Sequence, residues 1–100
     1  MKKVDDSIKK KSEIIKALAH PARLEILLLL SRKKGKMSVT DIHESLGLTQ
    51  PETSRHLIVL KNGSVLNSEK KGANSFYFIN DEHSFIRCIA NCMNKLKDEQ

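Results

Sequence analysis

Residues 38–61, SVTDIHESLGLTQPETSRHLIVLK, carry two helix-start signals in quick succession, and that spacing leaves few ways to fold. Ser38-x-x-Asp41 and Thr49-x-x-Glu52 each set a hydroxyl where it can accept from a bare backbone N–H, with an acid three residues on. Gly47 lies between them, where a left-handed residue would end the first helix. Pro51 falls in the first turn of the second helix, where its missing N–H costs little. A helix, a glycine turn and a second capped helix make the outline of a helix-turn-helix. That motif sets its second helix in the DNA major groove.

The rest of the chain supplies a frame for this motif. Residues 4–19 read as a helix with apolar positions Ile8, Ile14, Ile15 and Leu18, its first half rich in lysine. Pro21 opens a second helix to about Ser31, and Leu24 and Ile26–Leu30 leave it almost no polar face, so it should be central and buried. Arg32–Lys36 reads as a loop, and Asn62-Gly63 stops the second capped helix. Two β-type runs follow within 65–79, separated by Lys71-Gly72-Ala73-Asn74, which gives a hairpin with a basic tip. Asn80 or Asp81 then caps a last helix over 82–97, with Phe85, Ile86, Ile89, Met93 and Leu96 at helical spacing. The expected fold is mainly α with a small β-hairpin, in the order α-α-α-α-β-β-α: one winged helix-turn-helix domain over 1–100.

Charge and size narrow the partners. The net charge of +6 favours a polyanion, nucleic acid before anionic membrane. One hundred residues with 39% apolar content bury only a small core, so help from a second subunit is expected. The helices at 4–19 and 82–97 each carry an apolar stripe that one domain covers only in part. Pairing them across a two-fold axis, through Ile8, Ile15, Phe85, Ile89, Met93 and Leu96, would bury both. Met1-Lys2-Lys3 is followed by Val4-Asp5-Asp6 rather than an apolar run, and Leu24–Leu30 is too short to span a bilayer. With only Cys88 and Cys92 there is no disulfide framework, so a cytoplasmic protein without membrane contact is expected. His20, His43, His56 and His83 show no pairing with a nucleophile, and there is no phosphate loop or metalloprotease signature. An enzyme is not expected.

Three stretches together, His20-Pro21-Ala22-Arg23-Leu24-Glu25-Ile26-Leu27, the run Leu48 to Leu60, and Lys70-Lys71-Gly72 ahead of Phe76-Tyr77-Phe78, resemble the ArsR/SmtB family of bacterial repressors. The resemblance covers about Ile14 to Ile79 closely and the last helix more loosely. It implies a homodimer that blocks an operator in double-stranded DNA and leaves it when an effector binds.

On the recognition helix, a helical wheel groups Thr53, His56, Leu57, Val59 and Leu60 on one side. Pro51, Ser54, Arg55, Ile58 and Lys61 fall on the other, with Gln50 at its edge. Gln50 suits adenine or a phosphate, and Arg55 suits guanine or a phosphate. Thr49 and Ser54 fit backbone contacts, and Lys61 is long enough to reach a phosphate. Ile58 stands where similar proteins often carry lysine; it either touches a thymine methyl or marks weaker backbone binding. His56 reads as a packed structural residue. In the wing, Lys70, Lys71 and Asn74 suit phosphate or minor-groove contacts, or else a lysine-rich edge that discourages strand pairing. Lys33, Lys34 and Lys36 read as plain solubility charges. A winged helix serving as a protein-interaction module without operator binding is the alternative.

No complete effector site is legible. The family's Cys-x-Cys metal pair falls on Ser38 and Thr40. Its other metal site is matched in its first half by Asp81 and His83, but the remaining positions fall on Asn94 and Lys97, which are poor ligands. No cofactor is expected. Cys88 and Cys92 share a helix face beside Phe85, Ile89 and Leu96. They read as small apolar residues at the dimer seam, or as a redox or soft-metal pair completed by the partner's thiolates.

Overall fold

The computed structural model of the protein describes residues 5–97. Its elements are α1 (Asp6–Leu18), α2 (Pro21–Lys33), β1 (Met37–Ser38), α3 (Val39–Leu46), α4 (Gln50–Asn62), β2 (Leu66–Lys71), β3 (Asn74–Ile79) and α5 (Ser84–Lys97). This is the winged helix-turn-helix order the sequence implied, with one addition: β1 pairs with β3, Met37 opposite Tyr77, to give an antiparallel sheet ordered β1-β3-β2. Two residues are too few to show a strand period, so β1 leaves no trace in the sequence.

Helices α1–α4 each begin where local chemistry can satisfy bare N–H groups. Asp5 accepts from Ser7 at the start of α1, and the Nδ1 of His20 accepts from Ala22 ahead of Pro21 in α2. The expected start at Val4 lies outside the described residues. Helix α2 runs two residues beyond the expected Ser31. Arg32 and Lys33 suit the negative end of a helix, and Lys34 closes it with a left-handed φ of 51°. Lys34 is therefore a helix terminator as well as a surface charge.

Helix α5 starts at Ser84, later than the expected 82, because Asn80 and Glu82 are drawn into a turn ahead of it. The Asn80 amide donates to the Ser64 carbonyl at 3.0 Å and its Oδ1 accepts from the Glu82 N–H, which builds a turn. Asp81 accepts from Arg87 at 2.7 Å.

The core gathers around α2, where Ile26–Leu30 are buried in an unbroken run. Ile14 and Leu18 of α1, Ile42 of α3, Leu57 and Leu60 of α4, and Ile86 and Ala90 of α5 close around it, with Leu66 and Ile79 from the sheet. Helix α4 is seated by a narrow stripe, Thr53, Leu57 and Leu60, all fully buried. Val59, expected on this side, is exposed, because the stripe at i, i+4 and i+7 is too narrow to include it. His56 does turn inward. Its ring lies 4.5 Å from that of His20, and its Nδ1 is 3.4 Å from Nη1 of Arg23, whose Nε donates to the Ala17 carbonyl at 2.6 Å. Burial, then the nearby charges of His20 and Arg23, hold the His56 imidazole below its usual range.

The end of α4 is fixed by a close approach. Gly63 has an ordinary φ of −84°, and the left-handed residue is Ser64, with φ 65°. The expected glycine is needed for a different reason. A Cβ on Gly63 would sit 2.5 Å from the Ala17 Cβ and 3.3 Å from the Val59 carbonyl oxygen. Beside it, Lys10 Nζ donates to Ser64 Oγ at 3.0 Å.

Gly63→Ala should destabilise the protein by about 1–3 kcal/mol in denaturant unfolding, since two backbones must part to admit the methyl. If the midpoint does not move, the contact does not constrain the fold. For His56, the folded value is depressed, so the unfolded chain takes up its proton first. The contribution of neutral His56 is complete above pH 6.5 and is lost as pH falls from there through the folded value. His56→Gln should flatten that part of the stability–pH curve, measured as unfolding midpoints between pH 7.5 and pH 5.

Candidate nucleic-acid interface

Helix α3 ends on Gly47, with φ 69°, and the chain reverses into α4 within three residues. The start of α4 is held by a reciprocal cap: Thr49 Oγ1 accepts from the Glu52 N–H at 3.2 Å, and Glu52 Oε1 accepts from the Thr49 N–H at 3.2 Å. The Thr49 hydroxyl also lies 3.3 Å from Glu52 Oε1, so its bonding capacity serves the cap first. Ser38 caps α3 by accepting from the Asp41 N–H at 3.1 Å.

With Thr53, Leu57 and Leu60 turned into the core, the opposite side of α4 faces outward. Gln50, Pro51, Arg55, Ile58 and Lys61 are exposed on it, and Ser54 is half-buried at its edge. This surface offers an amide, a hydroxyl, a guanidinium and an ammonium along one helix. Those groups match base edges and phosphate oxygens.

The wing is a two-residue hairpin, closed by Lys71 opposite Asn74, with Gly72 at φ 63° as its first turn residue. Lys70, Lys71 and Asn74 are all exposed at this tip. Because side chains alternate along a strand, Lys70 and Lys71 leave opposite faces of β2 and cannot both meet one surface squarely. Lys71 lies 3.8 Å from Glu69, which also binds Lys36 at 2.8 Å. The Lys36 hydrogen bond, aided by both positive charges, holds the Glu69 carboxyl below its ordinary range. Lys36 also stands 5.2 Å from the centre of the Phe78 ring. It is thus a strut between the α2–α3 connection and the wing, a role that sequence reading missed because its partners are more than thirty residues away.

Of the half-site for metal, the Asp81 carboxylate is already engaged. Arg87 grips both carboxylate oxygens of Asp81, at 2.7 and 3.2 Å, and holds its pKa below the usual range. His83 is half-buried. Asn94 accepts from Arg32 at 3.3 Å and donates to Ser31 at 3.1 Å, and the Lys97 side chain lies outside the described residues. Among the described residues no three His, Cys, Asp or Glu side chains come together as a metal site.

The two end helices each show an uncovered stripe. Ile8 and Ile15 on α1 are 55% and 53% exposed, although Ile14 between them is fully buried. On α5, Phe85, Ile89 and Met93 are half-buried, and Cys88, Cys92 and Leu96 are exposed. The thiols are therefore buried only if something covers this stripe. Among the described residues no helix is long and apolar enough to cross a membrane.

Comparison with known proteins agrees with this geometry. The family described as bacterial regulatory protein, arsR family, matches residues 20–63, from the cap of α2 to the end of α4. The arsenical resistance operon repressor of Bacillus subtilis is 39% identical over 75 residues, covering 75% of this chain and 70% of the repressor. The solved structure of HlyU from Vibrio cholerae superposes with a TM-score of 0.82 at 25% identity, covering 93% of this chain and 97% of that one. A homodimeric winged helix-turn-helix DNA-binding domain from Mycobacterium bovis gives 0.75 at 25% identity, covering 100% and 93%. By sequence and by fold alike, the chain belongs to the arsR family of bacterial regulatory proteins and is a DNA-binding transcriptional regulator of the winged helix-turn-helix type.

Proposed function

We propose that the protein is a cytoplasmic repressor that binds a near-palindromic operator as a homodimer joined through α1 and α5. The outward face of α4 carries this reading: polar groups suited to base edges stand on a helix whose other face is locked into the core. In this arrangement Gln50, Ser54 and Arg55 meet base edges or nearby phosphates, Thr49 and Lys61 meet backbone, and the wing tip straddles the flanking phosphates, with Asn74 at the turn and Lys70 and Lys71 reaching from opposite faces of β2. The net charge of +6 draws the protein to the duplex.

The uncovered stripes on α1 and α5 support the dimer, and so does the homodimeric relative. Joining them across a two-fold axis sets the recognition helices about 34 Å apart, one turn of duplex. It also covers Cys88 and Cys92, which then serve as small seam residues. A protein-docking role for the same fold is supported by the exposed Ile58 and Val59. Salt separates the two: duplex binding falls steeply as salt rises, whereas an apolar contact does not.

Selection from a randomised duplex pool at low salt should enrich a sequence with two-fold symmetry. Failure to retain any duplex refutes the proposal. On the enriched duplex, Arg55→Ala should cost about 1–3 kcal/mol and relax preference at one position of each half-site. Lys71→Ala should weaken all sequences alike and lower the salt slope by about one. Ile15→Asp alters a side chain that is exposed in the protomer, so it should leave the helical spectrum unchanged. Sedimentation should show the variant as a monomer, and Cys88 and Cys92 should react faster with a thiol reagent than they do in the parent.

A further inference from the structure

Ile58 is the anomaly of the outward face of α4. It is 54% exposed, four residues after Ser54 and three from both Arg55 and Lys61, so it shares their surface. It takes no part in the stripe that seats α4, and it lies on a different helix from the uncovered stripes of α1 and α5. An isoleucine there makes no hydrogen bond and holds hydrophobic surface in water. Against a phosphate it would only displace hydration. The major groove offers one apolar feature to such a side chain, the C5 methyl of thymine. Isoleucine suits it well, since β-branching leaves χ1 few states and the contact costs little side-chain freedom.

We propose that Ile58 is a specificity-determining residue that reads a thymine methyl in each operator half-site; this rests on the DNA-binding reading above. Spacing along the helix sharpens it. Arg55 and Ile58 are separated by about 4.5 Å of helix rise, close to the roughly 3.4 Å step between base pairs. The two side chains therefore address base pairs close together, and the half-site joins a guanine, or a phosphate gripped by Arg55, to a thymine one or two steps away.

The test uses the duplex enriched from the randomised pool. Its thymines are replaced one at a time by deoxyuridine, which removes the methyl and leaves every hydrogen-bonding group. For the parent protein, one position in each half-site should raise Kd about fourfold, the effect of one buried methyl group. Ile58→Ala should bind thymine and uracil duplexes equally, with an affinity near that of the parent on the uracil duplex. Ile58→Lys should bind more tightly at low salt and show no methyl preference. A retained duplex indifferent to every thymine-to-uracil change overturns this inference alone, as does an Ile58→Ala protein with the parent's thymine-to-uracil ratio. A parent protein that retains no duplex overturns both this and the DNA-binding reading. If Ile58→Ala fails to fold, Ile58→Lys decides the matter: a thymine-to-uracil ratio equal to the parent's overturns the inference.

Discussion

The structure depends on a helix with almost no polar face. Five successive buried residues, Ile26–Leu30, mean that α2 must be surrounded, and it touches α1, α3, α4, α5 and β3. An amphipathic helix in its place would leave one side in solvent and strand one of its neighbours. Because α2 is enclosed, each surrounding helix needs only a narrow inward stripe, and its outward side is released for other work. The three buried residues of α4 are enough to seat it, and its outward side is left to polar groups and one isoleucine. The same economy leaves Ile8 and Ile15 of α1 with nothing to cover them inside the protomer.

Much of this was legible because it is local. Thr49 and Glu52 satisfy each other's backbone within one helical turn, so four residues announce the start of the recognition helix. Gly47 and Pro51 mark its approach by the same kind of short-range chemistry. The misreadings arise where distant residues decide. Asp81 looks like a helix cap until Arg87 is seen to hold its carboxylate, and Asn80 also ties its amide to Ser64, sixteen residues away. Lys36 looks like a solvated charge until the fold brings Glu69 and Phe78 beside it. Val59 shows the limit of a helical wheel, which gives direction but not how wide the covered strip will be.

The candidate interface divides in the same way. Its helix was identified to within a residue, because caps and periodicity specify which side faces out. Its wing was found, but the pairing of Lys71 with Glu69 was not, since sequence adjacency does not reveal which charges a hairpin brings together. Thr49 is the instructive residue: its hydroxyl was assigned to the DNA backbone, and the structure commits it first to the helix it begins.

The short connection after α4 has a mechanical consequence. Ser64 is tied to α1 through Lys10 and to the entry of α5 through Asn80, while the neighbouring Gly63 abuts Ala17 of α1. Both helices of the proposed subunit seam thus converge on the connection joining α4 to the wing. Any sliding at the seam would reach both α4 and the wing through this one short joint.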